Sequence, residues 1–320
     1  MPAQEVLAVL EAAGPFAVST LTKVEDRLSE ITAGAGGPIA EYAQAAVGGG
    51  GKRLRPLLAV LSAGPNPERP EGVVRAGVAV ELVHAATLVH DDILDAAATR
   101  RGKATVAASG GREMAVAVGD WLFAAAFGEL VHNGAEDVEL LAQAGSDLAR
   151  GELLQRADAW DVEVTRERYL IRCRLKTARL FQAAAALGSR AGGVDPVPTQ
   201  EFANAVGVAF QMLDDVLDVA GPVERTGKPR GTDLLDGTVT LPLIVARERD
   251  PVLAALDLRE LLPEDAEAVC ERIEATGALD AVRKTADDWI VTANTAVESM
   301  DGVSPQAFHL VARALVDRVS

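Results

Sequence analysis

The chain has 320 residues, 49% of them hydrophobic and only 4% aromatic, and its 31 Lys and Arg against 47 Asp and Glu leave a formal charge of −16. That acid excess disfavours nucleic acid or an anionic membrane as the partner of the whole surface, so any phosphate must be bound at a local basic site. Cys173 and Cys270 are too few and too far apart for a disulfide framework or a paired-cysteine metal motif, and are expected to be reduced, buried thiols.

The opening stretch, MPAQEVLAVLEAAGPF, is acidic where a signal peptide would be basic, which points to a cytoplasmic protein. Alanine, leucine, glutamate and arginine dominate and alternating β-branched runs are scarce, so the chain is expected to be all-α. Gly and Pro clusters predict breaks at Gly34–Pro38, Gly48–Gly51, Gly64–Gly72, Gly110–Gly111, Gly188–Pro198, Gly221–Gly237 and Leu262–Glu264. Between them, 71–96, 112–132, 137–158, 166–188 and 199–220 carry apolar residues at helical spacing, several on more than one side, as helices inside a bundle do. Neither a low-complexity linker nor a solenoid repeat interrupts the pattern, so 1–320 reads as a single domain. Charged residues such as Glu81 and Asp120 break every long apolar run, and no transmembrane segment is expected.

The chemistry is concentrated in a few places. Gly50-Gly51-Lys52-Arg53-Leu54-Arg55-Pro56 comes first, followed by Val89-His90-Asp91-Asp92-Ile93-Leu94-Asp95 at the end of the 71–96 helix and by Arg100-Arg101-Gly102-Lys103. Much later, Met212-Leu213-Asp214-Asp215-Val216-Leu217-Asp218 repeats the acidic pattern, with Gly227-Lys228-Pro229-Arg230-Gly231 close behind. On a helix Asp91 and Asp95 lie about 40° apart with Asp92 within a turn, so the three are expected to converge on one rim. A single Asp-rich segment is ordinarily a solvated helix face. Two copies in strongly apolar surroundings instead call for a compensating cation.

Hard oxygen donors select Mg²⁺ or Mn²⁺, and Mg²⁺ commonly takes one or two carboxylates together with substrate phosphates. Zinc through His84 and His90 is excluded by spacing, since the two lie about 240° apart on one helix, whereas His84 is only about 20° off the azimuth of Asp91. Glycine beside Arg and Lys in the three basic groups suits a diphosphate, because the backbone approaches closely and Arg offers paired donors.

These motifs resemble those of the trans-isoprenyl (polyprenyl) diphosphate synthases: GGKRLRP, VHDDILD followed by RRGK, LKTARLF, FQMLDDVLD and GKPRGTDL with TLP occur in the family's order. The resemblance implies a large helical bundle around a central cavity and head-to-tail addition of isopentenyl diphosphate to an allylic prenyl diphosphate. Asp91, Asp92, Asp95, Asp214, Asp215 and Asp218 match the magnesium-binding carboxylates. Arg100, Lys176 and Lys228 match cations around the leaving diphosphate, and Lys52, Arg55, His84 and Arg101 match the isopentenyl diphosphate pocket. Gln211, Thr177 and Phe210 match positions near the reacting groups, and a homodimer is implied. Two departures stand out: Thr238 replaces a lysine frequent in the family, a trait of some long-chain members, and Ala104 replaces a common proline. Ala86 and Thr87 are small where short-chain members carry aromatics, which implies a product of C20 or longer. A class I terpene cyclase, a non-catalytic subunit of a prenyl synthase and a merely metal-stabilised bundle are the competing readings. The intact second Asp motif weighs against the first two.

Overall fold

In the computed structural model of the protein, residues 3–48, 53–221 and 230–316 are described. Eleven helices fill the chain as far as the second acidic motif: α1 (Ala3–Ala13), α2 (Pro15–Gly34), α3 (Gly37–Gly48), α4 (Leu54–Ser62), α5 (Pro70–Leu94), α6 (Val106–Gly110), α7 (Arg112–Leu130), α8 (Ala135–Ala157), α9 (Arg166–Cys173), α10 (Arg179–Gly192) and α11 (Pro196–Ala220). Short helices α12 (Thr232–Leu235), α13 (Leu241–Arg247) and α14 (Pro251–Ala254) follow, then α15 (Ala266–Ala275), α16 (Ala278–Val297) and α17 (Pro305–Val316). Among the described residues the protein is all-α apart from a two-residue-stranded hairpin, Thr99–Arg100 against Lys103–Ala104. Chain contacts divide it into two compact units, Met1–Gly145 with Leu180–Ala203 and Ala296–Leu310, and Ser146–Arg179 with Asn204–Thr295 and Val311–Ser320.

In the first unit α5 is the organising element. Pro70 sets φ at its start and Glu71 meets the positive end of the helix dipole. Val78, Ala79, Val80, Leu82, Val83 and Ala86 have no exposed surface, so the middle of α5, from Val78 to Val83, is packed all round. Each fully buried Val or Leu contributes about 1.5–3 kcal/mol, and Leu82→Ala would cost about 2–5 kcal/mol because a cavity remains.

Gly188, expected from sequence to end a helix, lies inside α10, which continues to Gly192. A Cβ at Gly188 or Gly192 would collide with the carbonyls of Ala59 and Ala63, so these glycines let α10 and α4 pack backbone to backbone. Likewise the helix start is at Pro70, which leaves Gly72 inside α5 against Ala191.

The segment expected as one helix over 166–188 is divided into α9, a π-helical turn over Arg174–Ala178, and α10 from Arg179 onward. Thr165 caps α9 by accepting from the backbone N–H of Arg168 at 3.2 Å. Gly207 of α11 passes so close to Ala178 that a Cβ would stand 2.6 Å from its Cα.

Contrary to the sequence expectation, two helices, Pro70–Leu94 and Arg112–Asn133, are long and apolar enough to cross a membrane. Isolated charges interrupt each run without making it polar on average. The most apolar stretch is 78% buried inside the protein in the first and 39% in the second.

Candidate active site

Both acidic motifs fall in the last turns of long helices, α5 ending at Leu94 and α11 at Ala220. A helix C-terminus already carries about half a negative charge, so neither dipole nor neighbouring carboxylates favour three more anions there. Such an arrangement calls for compensating positive charge.

In the first unit Asp91 is half-buried and Asp95 exposed, whereas Asp92 is buried and accepts from Arg100 Nε at 2.8 Å. The expectation that all three carboxylates converge on one rim is therefore corrected: Asp92 turns inward to a guanidinium. Arg100 is brought there by the hairpin, whose two-residue turn places Arg101 (φ 52) and Gly102 (φ 75) in left-handed conformations. That is the pair of positive φ values a type I′ turn needs.

The same unit gathers Arg53 and Arg55 at the start of α4, His84 on α5 and Arg100 and Arg101 in the hairpin. Burial holds the His84 imidazole well below its usual value, and the charges of Arg55, Arg101, Arg100 and Arg53 depress it further, so His84 is neutral. Burial also brings Arg55 down to about 10, opposed by Glu81 and reinforced by Arg101. Its guanidinium lies 4.7 Å from the Phe181 ring centre, and its Nε is buried without a hydrogen-bond acceptor among the described residues. Arg53 is differently used: Nε donates to Glu25 Oε1 at 2.6 Å, Nη1 to Glu81 Oε1 at 2.6 Å and Nη2 to the Val47 carbonyl at 2.9 Å. His90 lies elsewhere, its Nε2 3.7 Å from Asp120 and its ring against Phe123, so the two histidines form no metal pair. Ala86 is fully buried, and half-buried Thr87 donates its hydroxyl to the His84 carbonyl at 2.8 Å.

In the second unit Asp214 is exposed and Asp215 buried. Tyr169 donates to Asp215 Oδ2 at 2.6 Å, Gln211 Nε2 donates to Oδ1 at 2.9 Å, and Thr177 donates to Gln211 Oε1 at 2.7 Å. Burial, followed by the Asp233 carboxylate, pushes Asp215 up to about 8 despite those donors. Asp218 accepts the Asp233 N–H at Oδ2, 3.1 Å away, and its carbonyl takes the Gly231 N–H at 2.9 Å. Lys176 projects from the π-helical turn to Glu152 Oε2 at 2.6 Å, and Gly151 gives that turn room, since a Cβ would stand 2.6 Å from the Lys176 nitrogen. Such single-turn π segments recur at functional sites. Phe210 is half-buried on α11.

Lys52 and Lys228 lie outside the described residues. Arg230, part of the third basic group, is committed to Glu267 and Glu274 of α15 and to the Val219 carbonyl. Tyr169, Glu152 and Glu81 were not singled out from sequence. Only Glu81 left a signal there, as a lone acid in an apolar run. Cys173 and Cys270 are free and buried, as expected. Among the described residues no three or more His, Cys, Asp or Glu form a ready-made metal cage. The donor set fits Mg²⁺ nonetheless, since that ion completes its octahedron with water and substrate phosphate.

Hard carboxylates on helix C-termini, with guanidiniums around a neutral imidazole, are the equipment of an all-α enzyme of prenyl diphosphate chemistry. The model of the polyprenyl synthetase family matches residues 38–275, and the chain belongs to that family, the trans-isoprenyl diphosphate synthases. It is 35% identical over 306 residues to heptaprenyl diphosphate synthase component 2 of Geobacillus stearothermophilus, covering 92% of this chain and 93% of that one. Octaprenyl diphosphate synthase of Escherichia coli K12 is 36% identical over 251 residues, 76% of this chain and 78% of its own. The polyprenyl synthase of Caulobacter crescentus CB15, solved with calcium and isoprenyl diphosphate, superposes with a TM-score of 0.87 at 32% identity, over 96% of this chain and 99% of that one. The fold is thus the isoprenoid synthase fold, and the chain is a trans-prenyltransferase making polyprenyl diphosphates of C20 or longer. Members of the family work with a divalent metal.

Proposed function

We propose that the chain joins isopentenyl diphosphate head to tail to an allylic prenyl diphosphate, with Mg²⁺ as its metal and Mn²⁺ as a substitute. The guanidinium cluster around neutral His84 carries this reading, above all the buried Arg55 Nε that lacks an acceptor among the described residues. A buried donor left unpaired costs about 1–3 kcal/mol, which a diphosphate oxygen would recover.

In this reading Lys52, Arg55, His84 and Arg101 hold isopentenyl diphosphate. Arg100, Lys176 and Lys228 meet the charge that develops on the departing allylic diphosphate. Asp91, Asp95, Asp214 and Asp218 are the metal ligands. Asp92, anchored by Arg100, and Asp215, anchored by Tyr169 and Gln211, orient them from inside the helices. The bound metal supplies positive charge that weakens the allylic C–O bond. No protein nucleophile is needed: the isopentenyl double bond attacks the allylic carbon, and released diphosphate accepts the proton lost afterwards. Thr177, Gln211 and Phe210 line the approach to the reacting groups.

Small Ala86 and Thr87 leave room for a long tail one turn before Asp91, at about 1.5 Å of rise per residue. The family match runs through both compact units, which supports one catalytic domain over 1–320. For the homodimer, support comes from α7, where Val116, Ala117, Ala124 and Gly128 are exposed on an apolar helix. Two free, buried cysteines accord with the reducing cytoplasm. Incubation with isopentenyl diphosphate and allylic primers of increasing length, followed by sizing of the products, tests the reading. Products lengthened by whole isoprene units to C20 or beyond support it, and unextended primer refutes it.

A further inference from the structure

The charge of the Glu81 carboxylate reaches Arg53, Arg55 and Arg101 together, and the residue is only 6% exposed. An acid inside an anion pocket competes with the substrate, so its presence needs a reason. The geometry supplies one. Glu81 holds Arg53 at 2.6 Å, and Nε and Nη2 of Arg53 donate to Glu25 on α2 and to the Val47 carbonyl on α3. This one guanidinium ties α2, α3 and α5 to the first turn of α4.

Arg53 also has φ 45 and ψ 39, the left-handed region in which a residue with a side chain is strained. Such strain persists only where surrounding contacts over-determine the conformation. Two residues on, Arg55 presents a buried Nε that has no hydrogen-bond partner among the described residues, with the Phe181 ring alongside. The direction in which Arg55 points is therefore set by the backbone that Arg53 anchors.

We propose that Glu81 is a positioning residue for the isopentenyl diphosphate pocket: by clamping Arg53 in its left-handed conformation it fixes the start of α4 and so presets Arg55 toward the diphosphate. This rests on the assignment of that pocket under the proposed function. Glu81 does not touch substrate, and its contribution is to binding of one substrate only.

Glu81→Gln keeps the side-chain volume and removes the charge that grips Arg53. The expected outcome is a KM for isopentenyl diphosphate raised about tenfold, with kcat and the KM of the allylic primer changed less than about twofold, since a tenfold change is about 1.4 kcal/mol, the scale of a charge-assisted hydrogen bond. Arg53→Lys, which retains charge but loses the fork, is expected to give the same split, and the double variant no more than either single one. Calorimetric titration of each metal-free protein with isopentenyl diphosphate gives the same comparison without turnover. An unchanged or lowered KM in a folded Glu81→Gln variant overturns the inference, a lowered value meaning that the acid only competes with substrate. A fall in melting temperature with both KM values unchanged also overturns it. Wild-type protein that binds no isopentenyl diphosphate overturns the pocket assignment itself, and the inference with it.

Discussion

The Tyr169 hydroxyl stands 2.6 Å from Asp215 Oδ2, so the middle carboxylate of the second acidic motif is anchored from inside the unit. Arg100 does the corresponding work for Asp92, at 2.8 Å. In both motifs the middle aspartate points inward and stiffens the turn that carries its neighbours, and a metal held between charged side chains depends on such support. Tyr169→Phe deletes one donor and leaves a buried acceptor short by one bond. Denaturant titration is expected to show a loss of about 1–3 kcal/mol, and activity is expected to need more Mg²⁺. Unchanged stability together with an unchanged Mg²⁺ requirement would show that Gln211 alone suffices.

Asp91→Ala and Asp214→Ala should each lower turnover by several orders of magnitude while melting temperature stays close to wild type, because each removes an anion from a helix C-terminus where anions repel. Thermal melts beside steady-state rates check both halves. Full activity in excess chelator would remove the metal from the scheme.

The two diphosphates should separate kinetically. Arg101→Ala and Lys52→Ala are expected to raise the KM of isopentenyl diphosphate more than that of the allylic primer, and Lys176→Ala and Lys228→Ala the reverse. Equal effects on both substrates in all four variants would merge the two sites into one.

His84 supplies a pH signature. Its folded value lies well below its ordinary value of about 6.5, so between the two the unfolded chain binds a proton that the folded chain refuses. Stability from this group is complete above that ordinary value and is lost as pH falls toward the folded one. Replacing His84 by Gln, which does not titrate, should flatten the acid side of the stability curve. An identical slope in the variant would mean that the imidazole is protonated in the folded protein.

Ala86→Phe or Thr87→Phe should shorten the main product, because a ring one turn before Asp91 takes up the volume that a long tail needs. Chromatographic sizing decides this, and an unchanged distribution from a folded, active variant would place the growing chain along another face.

Much of this was legible in the sequence because the signals are local. Asp91-Asp92 and Asp214-Asp215 announce themselves by repetition, and the long helices by apolar spacing. Charge pairing across distant segments left no such trace. Arg53 and Arg230 sit in basic, glycine-containing stretches that read as phosphate loops, yet Arg53 is bound to Glu25 and Glu81, and Arg230 to Glu267 and Glu274. Gly188 read as a break because its requirement, contact with Ala59 on another helix, lies far away in the chain. The inward turn of Asp92 and Asp215 was equally hidden, since their donors come from the Arg100 hairpin and from Tyr169 on α9.

Diphosphate release measured alongside isopentenyl diphosphate consumption tests prenyl transfer most directly. With Mg²⁺ and both substrates, one diphosphate is expected for each isopentenyl diphosphate consumed, with none from the allylic substrate alone and none from either in excess chelator. Diphosphate released from the allylic substrate alone, with isopentenyl diphosphate untouched, would contradict prenyl transfer and mark the chain as a cyclase.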